Sequence, residues 1–192
     1  EAIDPETLPQ PAQCQREFAQ QASEALFEAA DAQIKAGGFE RAAMALGCAA
    51  RSVARDGDSV SRYEWVRRRG VLAYRQQQIG EALGHFECAL GLAERNGDDA
   101  AVAKQLRNIG SAQRRIGDYR AALRTLERGL QAMRDGNDPA IGGTLSNIAD
   151  VYRDIADNKQ AERYYREAEI AFRRVGDRVE AAHVSNSLAL LA

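Results

Sequence analysis

The residue types that most often carry chemistry are sparse in this sequence. His85 and Cys88 are three residues apart, which would place them on one face of a helix, and both can bind a metal ion. A structural zinc site needs four such ligands, and neither a second His or Cys pair nor the isolated His183 completes one. A polar outer face beside a buried Phe86 is the favoured interpretation of His85. We therefore predict no metal site.

Motifs for catalysis and for cofactor binding are not found either. The sequence contains no Gly-rich phosphate loop ending in Lys-Ser or Lys-Thr, and no Ser or Cys stands in a recognisable nucleophile motif. Carboxylates are numerous, but most fall where helix caps or solvated helix faces are expected. We therefore predict no catalytic residue, no cofactor and no enzymatic activity.

Basic side chains are the next candidates. Arg67, Arg68 and Arg69 form a run, but they spread over nearly a full helical turn without interleaved aromatic residues. The net charge is -2, and we predict no nucleic-acid partner. Charge is nevertheless segregated along the chain. Residues 1–40 hold eight acidic groups against two basic ones, whereas residues 101–134 hold eight basic groups against two acidic ones. The second segment is therefore a candidate basic surface.

Helices must position these side chains, because apolar residues recur with a helical period and in repeated copies. A small residue, a large one four positions later and a small one three positions further form one helical stripe. Small positions let a neighbouring helix approach, and the large side chain fills the gap beside it. The first small residues, at spacings of 40, 40 and 39, are Ala42, Ala82, Ala122 and Ala161. The large residues are Leu46, Phe86, Leu126 and Tyr165, and the second small residues are Ala49, Ala89, Gly129 and Ala168.

A second type of helix alternates with the first. LRNIGSAQRRIGD from Leu106 matches LSNIADVYRDIAD from Leu145, and VSNSLALLA from Val184 begins a third copy. Polar breaks end one helix through a left-handed Gly or Asn and cap the next through an Asp side chain. These breaks are Gly57-Asp58, Gly97-Asp98, Asn137-Asp138-Pro139 and Gly176-Asp177. The pattern predicts an all-α fold in which a helix A and a helix B alternate four times, followed by one more helix A.

These motifs resemble the tetratricopeptide repeat (TPR) family, whose hairpins carry Gly and a large residue on helix A, then Ala, a large residue and Ala on helix B. The strongest copy carries Gly110, Gly117, Tyr119, Ala122, Leu126 and Leu130. The period near 40 rather than 34 is similar to an extended-helix branch that includes kinesin light chains and several bacterial regulators. The second copy departs with Arg69 and Gly70, where the others have Ile and a small residue. The resemblance implies a right-handed superhelical solenoid of antiparallel helical hairpins.

The expected organisation is a leader followed by one repeat array. Pro5, Pro9 and Pro11 mark residues 1–20 as an extended leader or linker. The array is predicted to span 21–192, with repeats at about 21–56, 57–96, 97–136 and 137–176 and a half repeat at 177–192. No apolar run is long enough to cross a membrane, so we expect a soluble segment, cytoplasmic or periplasmic, without membrane insertion. Cys48 and Cys88 share a column and would lie about 10 Å apart, beyond disulfide reach, while Cys14 could lie anywhere.

The resemblance also implies a function, because helices A line the concave face of such arrays. The family's groove positions fall here on Arg67, Tyr74, Lys104, Arg107, Ser111, Arg114, Ser146, Asn147, Asp150 and Arg153. Arg suits carboxylates, and Ser and Asn can bond a peptide backbone. We therefore predict a non-enzymatic interaction module that binds a protein or peptide, acidic or with a C-terminal carboxylate, in this groove. A merely solvated basic face is the alternative, because Arg is also a good helix former.

The C-terminal residues indicate a further surface. Leu188, Leu190 and Leu191 would form an exposed apolar strip where a helix B should follow, whereas arrays normally end in a polar capping helix. We expect that the native chain continues, or else that another molecule covers the strip, in a homodimer for instance. Bacterial arrays with this IGD punctuation often precede a diguanylate cyclase or a DNA-binding domain. By resemblance, the alternative function is therefore a sensory segment of a larger signalling protein.

Overall fold

The computed structural model describes residues 23–56, 59–135 and 140–191, and all regular secondary structure in these ranges is helical. The helices are α1 (Ser23–Ala36), α2 (Phe39–Asp56), α3 (Ser59–Arg75), α4 (Ile79–Asn96), α5 (Asp99–Arg115), α6 (Tyr119–Asp135), α7 (Ile141–Asp154), α8 (Asn158–Arg174) and α9 (Arg178–Ala189). The prediction of an all-α fold is confirmed. The predicted leader, Cys14 and the breaks at 57–58 and 137–139 lie outside the described residues.

The chain divides after Gly97 into two compact units, unit 1 with α1–α4 and unit 2 with α5–α9. In unit 1, α1 and α2 form one hairpin and α3 and α4 form another, and α3 also contacts α1 and α2. In unit 2, α5 pairs with α6 and α7 with α8; α7 contacts both α5 and α6, and α9 packs on α8. Each unit therefore contains the predicted alternation of helices A and B.

The turn inside each hairpin is closed by the same pair of backbone hydrogen bonds. Between α5 and α6, the Gly117 N–H donates to Arg114 O at 3.0 Å, and the Asp118 N–H donates to Gln113 O at 3.0 Å. Gly117 has a φ of 83°, a left-handed conformation that costs a residue with a side chain about 1–2 kcal/mol. The equivalent residues of the other three turns are Gly37, Gln77 and Ala156, with φ values of 78°, 65° and 62°.

Aspartate side chains begin several helices, as predicted. The carboxylates of Asp98 and Asp177 accept hydrogen bonds from the Ala101 and Glu180 N–H groups, at 2.9 and 3.1 Å. These bonds satisfy backbone donors that have no partner inside α5 and α9. The two caps therefore fix where these helices begin, which in turn fixes which side chains they present.

The predicted stripe of small and large residues forms the core of the hairpins, and its members are all buried. A Cβ at Gly110 would lie 2.4 Å from Leu126 Cγ, and a Cβ at Gly70 would lie 2.6 Å from the Phe86 ring. Helices A and B therefore approach so closely that only Gly fits at these two positions. The matching contacts also give the second copy the same register as the third, despite its unusual Arg69.

Candidate partner-binding face of unit 2

Helices α5 and α7 contact each other and join their polar side chains by hydrogen bonds. Asn147 Nδ2 donates a 2.7 Å bond to Ser111 Oγ, which donates at 3.0 Å to the backbone oxygen of Arg107. The structure thus brings together three residues that were predicted to line a groove. We call Arg107, Ser111 and Asn147 the α5–α7 face. These two bonds hold the Ser111 hydroxyl and the Asn147 amide in place before any partner binds; the contribution of Arg107 to them is its backbone oxygen.

A network of charges connects the C-terminal ends of α5 and α7. Arg114 Nη1 lies 3.0 Å from Asp150 Oδ2 and 3.3 Å from Asp154 Oδ2. Arg153 Nη1 lies 3.3 Å from Asp150 Oδ1 and donates to Tyr165 Oη at 2.8 Å. Two of the predicted basic residues are therefore balanced by carboxylates of the same unit. This part of unit 2 is less basic than the sequence indicates.

Tyr165 anchors that network from the core side. Its ring is fully buried, and its hydroxyl donates to Asp150 Oδ1 at 2.5 Å. Burial, and then the hydrogen bond and negative charge of Asp150, raise the pKa of Tyr165 well above its usual 10.0. The hydroxyl therefore stays protonated at neutral pH and acts as a donor to Asp150 while it accepts from Arg153.

The predicted groove residue Arg67 of α3, in unit 1, is engaged by its own helix. Its guanidinium donates to Glu64 Oε2 at 2.8 and 3.2 Å. Arg68 pairs with the same carboxylate and, at 3.0 Å, with Asp31 of α1. Burial alone would raise the pKa of Glu64, but the hydrogen bonds and charges of Arg67 and Arg68 outweigh it and lower that pKa. Glu64 therefore remains an anion, and its carboxylate is ion-paired with Arg67.

The other predicted groove residues lie to the sides of the α5–α7 face or in the other unit. Tyr74, in unit 1, packs against Phe86 with 6.5 Å between ring centroids. Lys104 is exposed on α5, and Ser146 is half-buried on α7. Lys104 is one helical turn before Arg107, and Ser146 directly precedes Asn147. The two residues therefore flank the face.

A pocket of about 550 Å³ opens beside the α5–α7 face within unit 2. Arg107 and Asn147 line one side of it. Phe172 and Val175, at the end of α8, supply apolar surface. Asp177 and Glu180, at the start of α9, add two carboxylates, and Ala140 and Gly143 complete the lining. The volume is within the range of about 300–1,000 Å³ that is typical of small-ligand pockets in proteins.

Two consecutive glycines of α7 shape this pocket. A Cβ at Gly142 would lie 3.0 Å from the Phe172 ring, and one at Gly143 would lie 2.9 Å from Arg107 Nη1. The ring and the guanidinium therefore rest directly on the α7 backbone. Larger residues at these two positions would push both side chains into the pocket. The Gly142-Gly143 pair thus positions one apolar group, the Phe172 ring, and one basic group, the Arg107 guanidinium.

Six pocket residues were not identified from the sequence as binding residues: Ala140, Gly143, Phe172, Val175, Asp177 and Glu180. Phe172 and Val175 follow the helix B stripe and read as the end of that helix. Asp177 does cap α9, as predicted, and its second role depends on where α9 lies relative to α5 and α7. The only signal for the pocket was the unusual Gly142-Gly143 pair.

The C-terminal leucines differ in exposure. Leu188 and Leu191 are half-buried and pack against the core of unit 2, whereas Leu190 is 83% exposed. The expectation that all three form one exposed strip is therefore wrong for Leu188 and Leu191, because α9 packs on α8. Self-association through Leu190 stays a prediction.

The candidate metal ligands behave as ordinary side chains in the described part of the chain. His85 is buried, not on a polar outer face, and its Nε2 lies 3.4 Å from Glu81 Oε1. Cys88 is a free thiol, and Cys48 is disulfide-bonded, so the two do not bridge each other. Among the described residues, no group of three or more His, Cys, Asp or Glu could hold a metal ion.

None of the described helices is long and apolar enough to span a membrane.

Comparison with solved structures identifies similar folds at low sequence identity. The STAND protein with a tetratricopeptide repeat sensor from Pyrococcus horikoshii has a TM-score of 0.73 and 17% identity, over 84% of this chain and 25% of that one. Aspartyl phosphate phosphatase F from Bacillus subtilis has a TM-score of 0.77 and 14% identity, over 91% of this chain and 47% of that one. The apo form of RapI has a TM-score of 0.79 and 14% identity, over 94% of this chain and 67% of that one. The chain thus spans a quarter of the STAND protein and about half of phosphatase F. At these identities the likeness establishes the fold alone.

Comparison with protein families assigns most of the helical hairpins. Tetratricopeptide repeat patterns match residues 63–135 and 144–169. The first match begins in α3 and ends in α6, and the second covers parts of α7 and α8. No curated protein matches the sequence. Three successive hairpins, α3 with α4, α5 with α6 and α7 with α8, pack in the same way and carry these two matches. The chain belongs to the tetratricopeptide repeat family.

Proposed function

We propose that this chain is a non-catalytic module that binds an extended segment of a protein partner along the α5–α7 face. A protein-interaction or regulatory role is what the repeat family and the similar folds support. The observation that carries the proposal is the hydrogen-bonded pair of Ser111 and Asn147 next to the Arg107 side chain, which lines an open pocket. Polar groups held in place before binding lose little entropy when a partner arrives.

Each residue of the face has a chemical role in this proposal. The planar guanidinium of Arg107 suits a carboxylate of the partner, because it can donate two parallel hydrogen bonds. Asn147 carries both a donor and an acceptor on its amide, which matches one peptide unit of an extended backbone. Ser111 fixes the Asn147 amide at 2.7 Å and so sets the direction in which the partner's backbone is read.

Selection of twelve-residue peptides from a random display library on the immobilised protein provides a test. Charge-assisted hydrogen bonds are worth about 1.5–3 kcal/mol, so Arg107→Glu should weaken the selected peptides at least about tenfold. Arg124→Glu is the matched control, because Arg124 is exposed on α6, the other helix of the same hairpin. Equal losses in the two variants would mean that binding follows diffuse charge, and the α5–α7 face would be abandoned.

Arg114 is unsuitable for the same experiment. Arg114→Glu would put a third carboxylate beside Asp150 and Asp154, which lie 3.0 and 3.3 Å from the Arg114 guanidinium. The variant should therefore lose stability through like-charge repulsion, whether or not a partner uses this residue. Loss of binding in Arg114→Glu would not separate recognition from unfolding. Arg107→Glu is therefore the variant to use, with circular dichroism to confirm that it is folded.

A sensory segment of a larger signalling protein is the second candidate function. It is supported by the likeness to the STAND protein, whose tetratricopeptide repeats are described as a sensor. In that case binding at the α5–α7 face would change the activity of an attached domain. The full-length coding sequence tests this candidate directly. Further repeats without an effector domain would argue against sensing, and a catalytic or DNA-binding domain would support it.

A further inference from the structure

We infer that the pocket beside the α5–α7 face recognises an amphoteric segment: an acidic group, then apolar side chains, then a basic group. The inference rests on the proposed binding function of the same face. It replaces the acidic partner that the sequence indicates with a partner that carries both charges. From α5 and α7 across to α9, the walls of the pocket change from basic to apolar to acidic.

The α5–α7 wall of the pocket calls for an anionic group. Arg107 is the only basic side chain among the described residues that line the pocket, and Asn147 lies beside it. Arg114 is directed to Asp150 and Asp154, so it does not extend the positive charge of this wall. Among the described lining residues the pocket thus has one guanidinium, a group that suits one carboxylate rather than a run of acidic residues.

The middle of the pocket calls for apolar groups. The Phe172 ring rests on the backbone at Gly142 and packs against the unit 2 core, which fixes its position. Val175 is 47% exposed and so presents apolar surface to the pocket. Covering such surface is favourable at about 25 cal/mol per Å². A pocket of about 550 Å³ has room for more than one aliphatic side chain of a partner.

The α9 wall calls for a cationic group. Asp177 and Glu180 both line the pocket, and one oxygen of Asp177 is used in capping α9 at 3.1 Å from the Glu180 N–H. Glu180 lies 3.7 Å from His183 Nδ1, but half of its side chain remains exposed to solvent. An entirely acidic partner would bring a second carboxylate against these two. Like charges in one pocket repel each other, so the α9 wall favours a basic side chain of the partner.

Three capped pentapeptides provide the test, measured by isothermal titration calorimetry: acetyl-Asp-Leu-Leu-Leu-Lys-amide, and versions with Asp or with Lys at both ends. The amphoteric peptide should bind at least about tenfold more tightly than either of the others, because only it matches both walls. Arg107→Glu and Glu180→Lys should each weaken it about tenfold. The double variant R107E/E180K should bind the peptide at least about threefold more tightly than either single variant, because the peptide can then bind in the opposite direction, although Asp177 still lies in the α9 wall.

The exposed ion pair between Arg166 and Glu162 of α8 supplies matched controls. Neither residue lines the pocket, so Arg166→Glu and Glu162→Lys should leave the affinity unchanged. Circular dichroism of every variant separates loss of binding from loss of structure. Recovery in the double variant also requires a folded protein and so guards against that confusion.

Several results would overturn the inference: equal binding of the three peptides, no binding of any at about 1 mM, or a double variant no better than the single ones. Free leucine binding as tightly as the amphoteric pentapeptide would assign the pocket to a small zwitterion instead of a protein segment. Failure of the proposed function is recognised separately. If the selected twelve-residue peptides still discriminate Arg107→Glu from Arg124→Glu, the face stands and only the amphoteric preference falls.

Discussion

Arg67 of α3 and Arg107 of α5 occupy the same position in their hairpins, each three residues before the glycine that packs on helix B. Their surroundings differ. Arg67 is bound at 2.8 Å by Glu64, one helical turn earlier, whereas the residue at that position in α5 is Lys104. Arg107 rests on Gly143 and lines the unit 2 pocket. A repeat position therefore fixes where a side chain is placed, but the neighbouring residues decide which groups that side chain contacts.

The two units agree much better in their cores than in their polar faces. Gly70 with Phe86 and Gly110 with Leu126 make the same close contact, although the large residue differs. Packing depends on volume and spacing, which the repeat preserves. Polar function depends on single side chains such as Glu64 and Lys104, which the repeat does not constrain. Substitutions of core residues should therefore change stability strongly, whereas substitutions on the polar faces should change binding and have smaller effects.

The largest effect is expected where the units agree. Gly110→Val places a branched side chain where even a Cβ would lie 2.4 Å from Leu126 Cγ, so it should lower the unfolding free energy by about 3 kcal/mol. Gly70→Val should act similarly against Phe86. Gly84 is the control, because it is exposed on α4 and a Cβ there would have no heavy atom of another residue within 4 Å outside its own helical backbone. Gly84→Ala should therefore stabilise by about 0.5–1 kcal/mol. Urea unfolding measures all three; tolerance of valine at Gly110 would contradict the close packing.

A smaller effect is expected where one large core residue also carries a polar group. Tyr165 stands in the column of Phe86 and Leu126, but only Tyr165 donates a hydrogen bond to Asp150. Tyr165→Phe should cost about 1–2 kcal/mol, because Asp150 and Arg153 each lose a partner. Chemical unfolding at pH 7 measures this loss. A neutral result would show that solvent replaces the hydroxyl at no cost.

The same residue predicts a dependence on pH. The folded state raises the pKa of Tyr165, so the unfolded chain releases this proton first as the pH rises. The stability that depends on the protonated hydroxyl is therefore present below the usual 10.0 and declines as the pH rises above it. Tyr165→Phe should flatten that decline relative to the native protein. Parallel curves for the two proteins above this pH would contradict the assignment.

An effect of about 1 kcal/mol is expected at the hairpin turns, where each unit has one favourable and one strained residue. Gly37 and Gly117 adopt left-handed conformations easily, whereas Gln77 and Ala156 adopt them with φ values of 65° and 62°. Ala156→Gly and Gln77→Gly should each raise the unfolding free energy by about 1 kcal/mol, and Gly117→Ala should lower it by a similar amount. Thermal unfolding is sufficient to measure these changes. A destabilised Ala156→Gly variant would mean that the turn is not strained.

The sequence predicted the fold well because its signal is repeated. The columns that begin at Ala42 and Leu46 recur with a period close to 40, and packing allows few alternatives for small and large residues at helical spacing. The cap at Asp98 was equally local, since it requires only the N–H group of a residue three positions later. Such features are set by short stretches of chain, which explains why they could be predicted without the structure.

The candidate site was predicted only in part because it depends on contacts between distant residues. Arg114 meets Asp150 across two helices, and no local pattern indicates that this charge is balanced within unit 2. Phe172 joins the pocket only because α8 ends next to Gly142. Leu188 was expected to be exposed but is half-buried, since α9 packs on α8. The relevant interactions thus follow from helix packing, which the period alone does not specify.

The smallest effect tests the comparison between Arg67 and Arg107 directly. Lys104→Glu gives α5 the carboxylate spacing that Glu64 has in α3, so the substituted side chain should draw the Arg107 guanidinium back onto its own helix. An exposed ion pair of this kind is worth about 0.2–1 kcal/mol, so the selected peptides should bind about threefold more weakly. Lys104→Gln removes the positive charge without adding a competitor and should have a smaller effect. If the two variants weaken binding equally, the loss reflects the missing lysine charge, and pairing within the helix is not what separates Arg67 from Arg107.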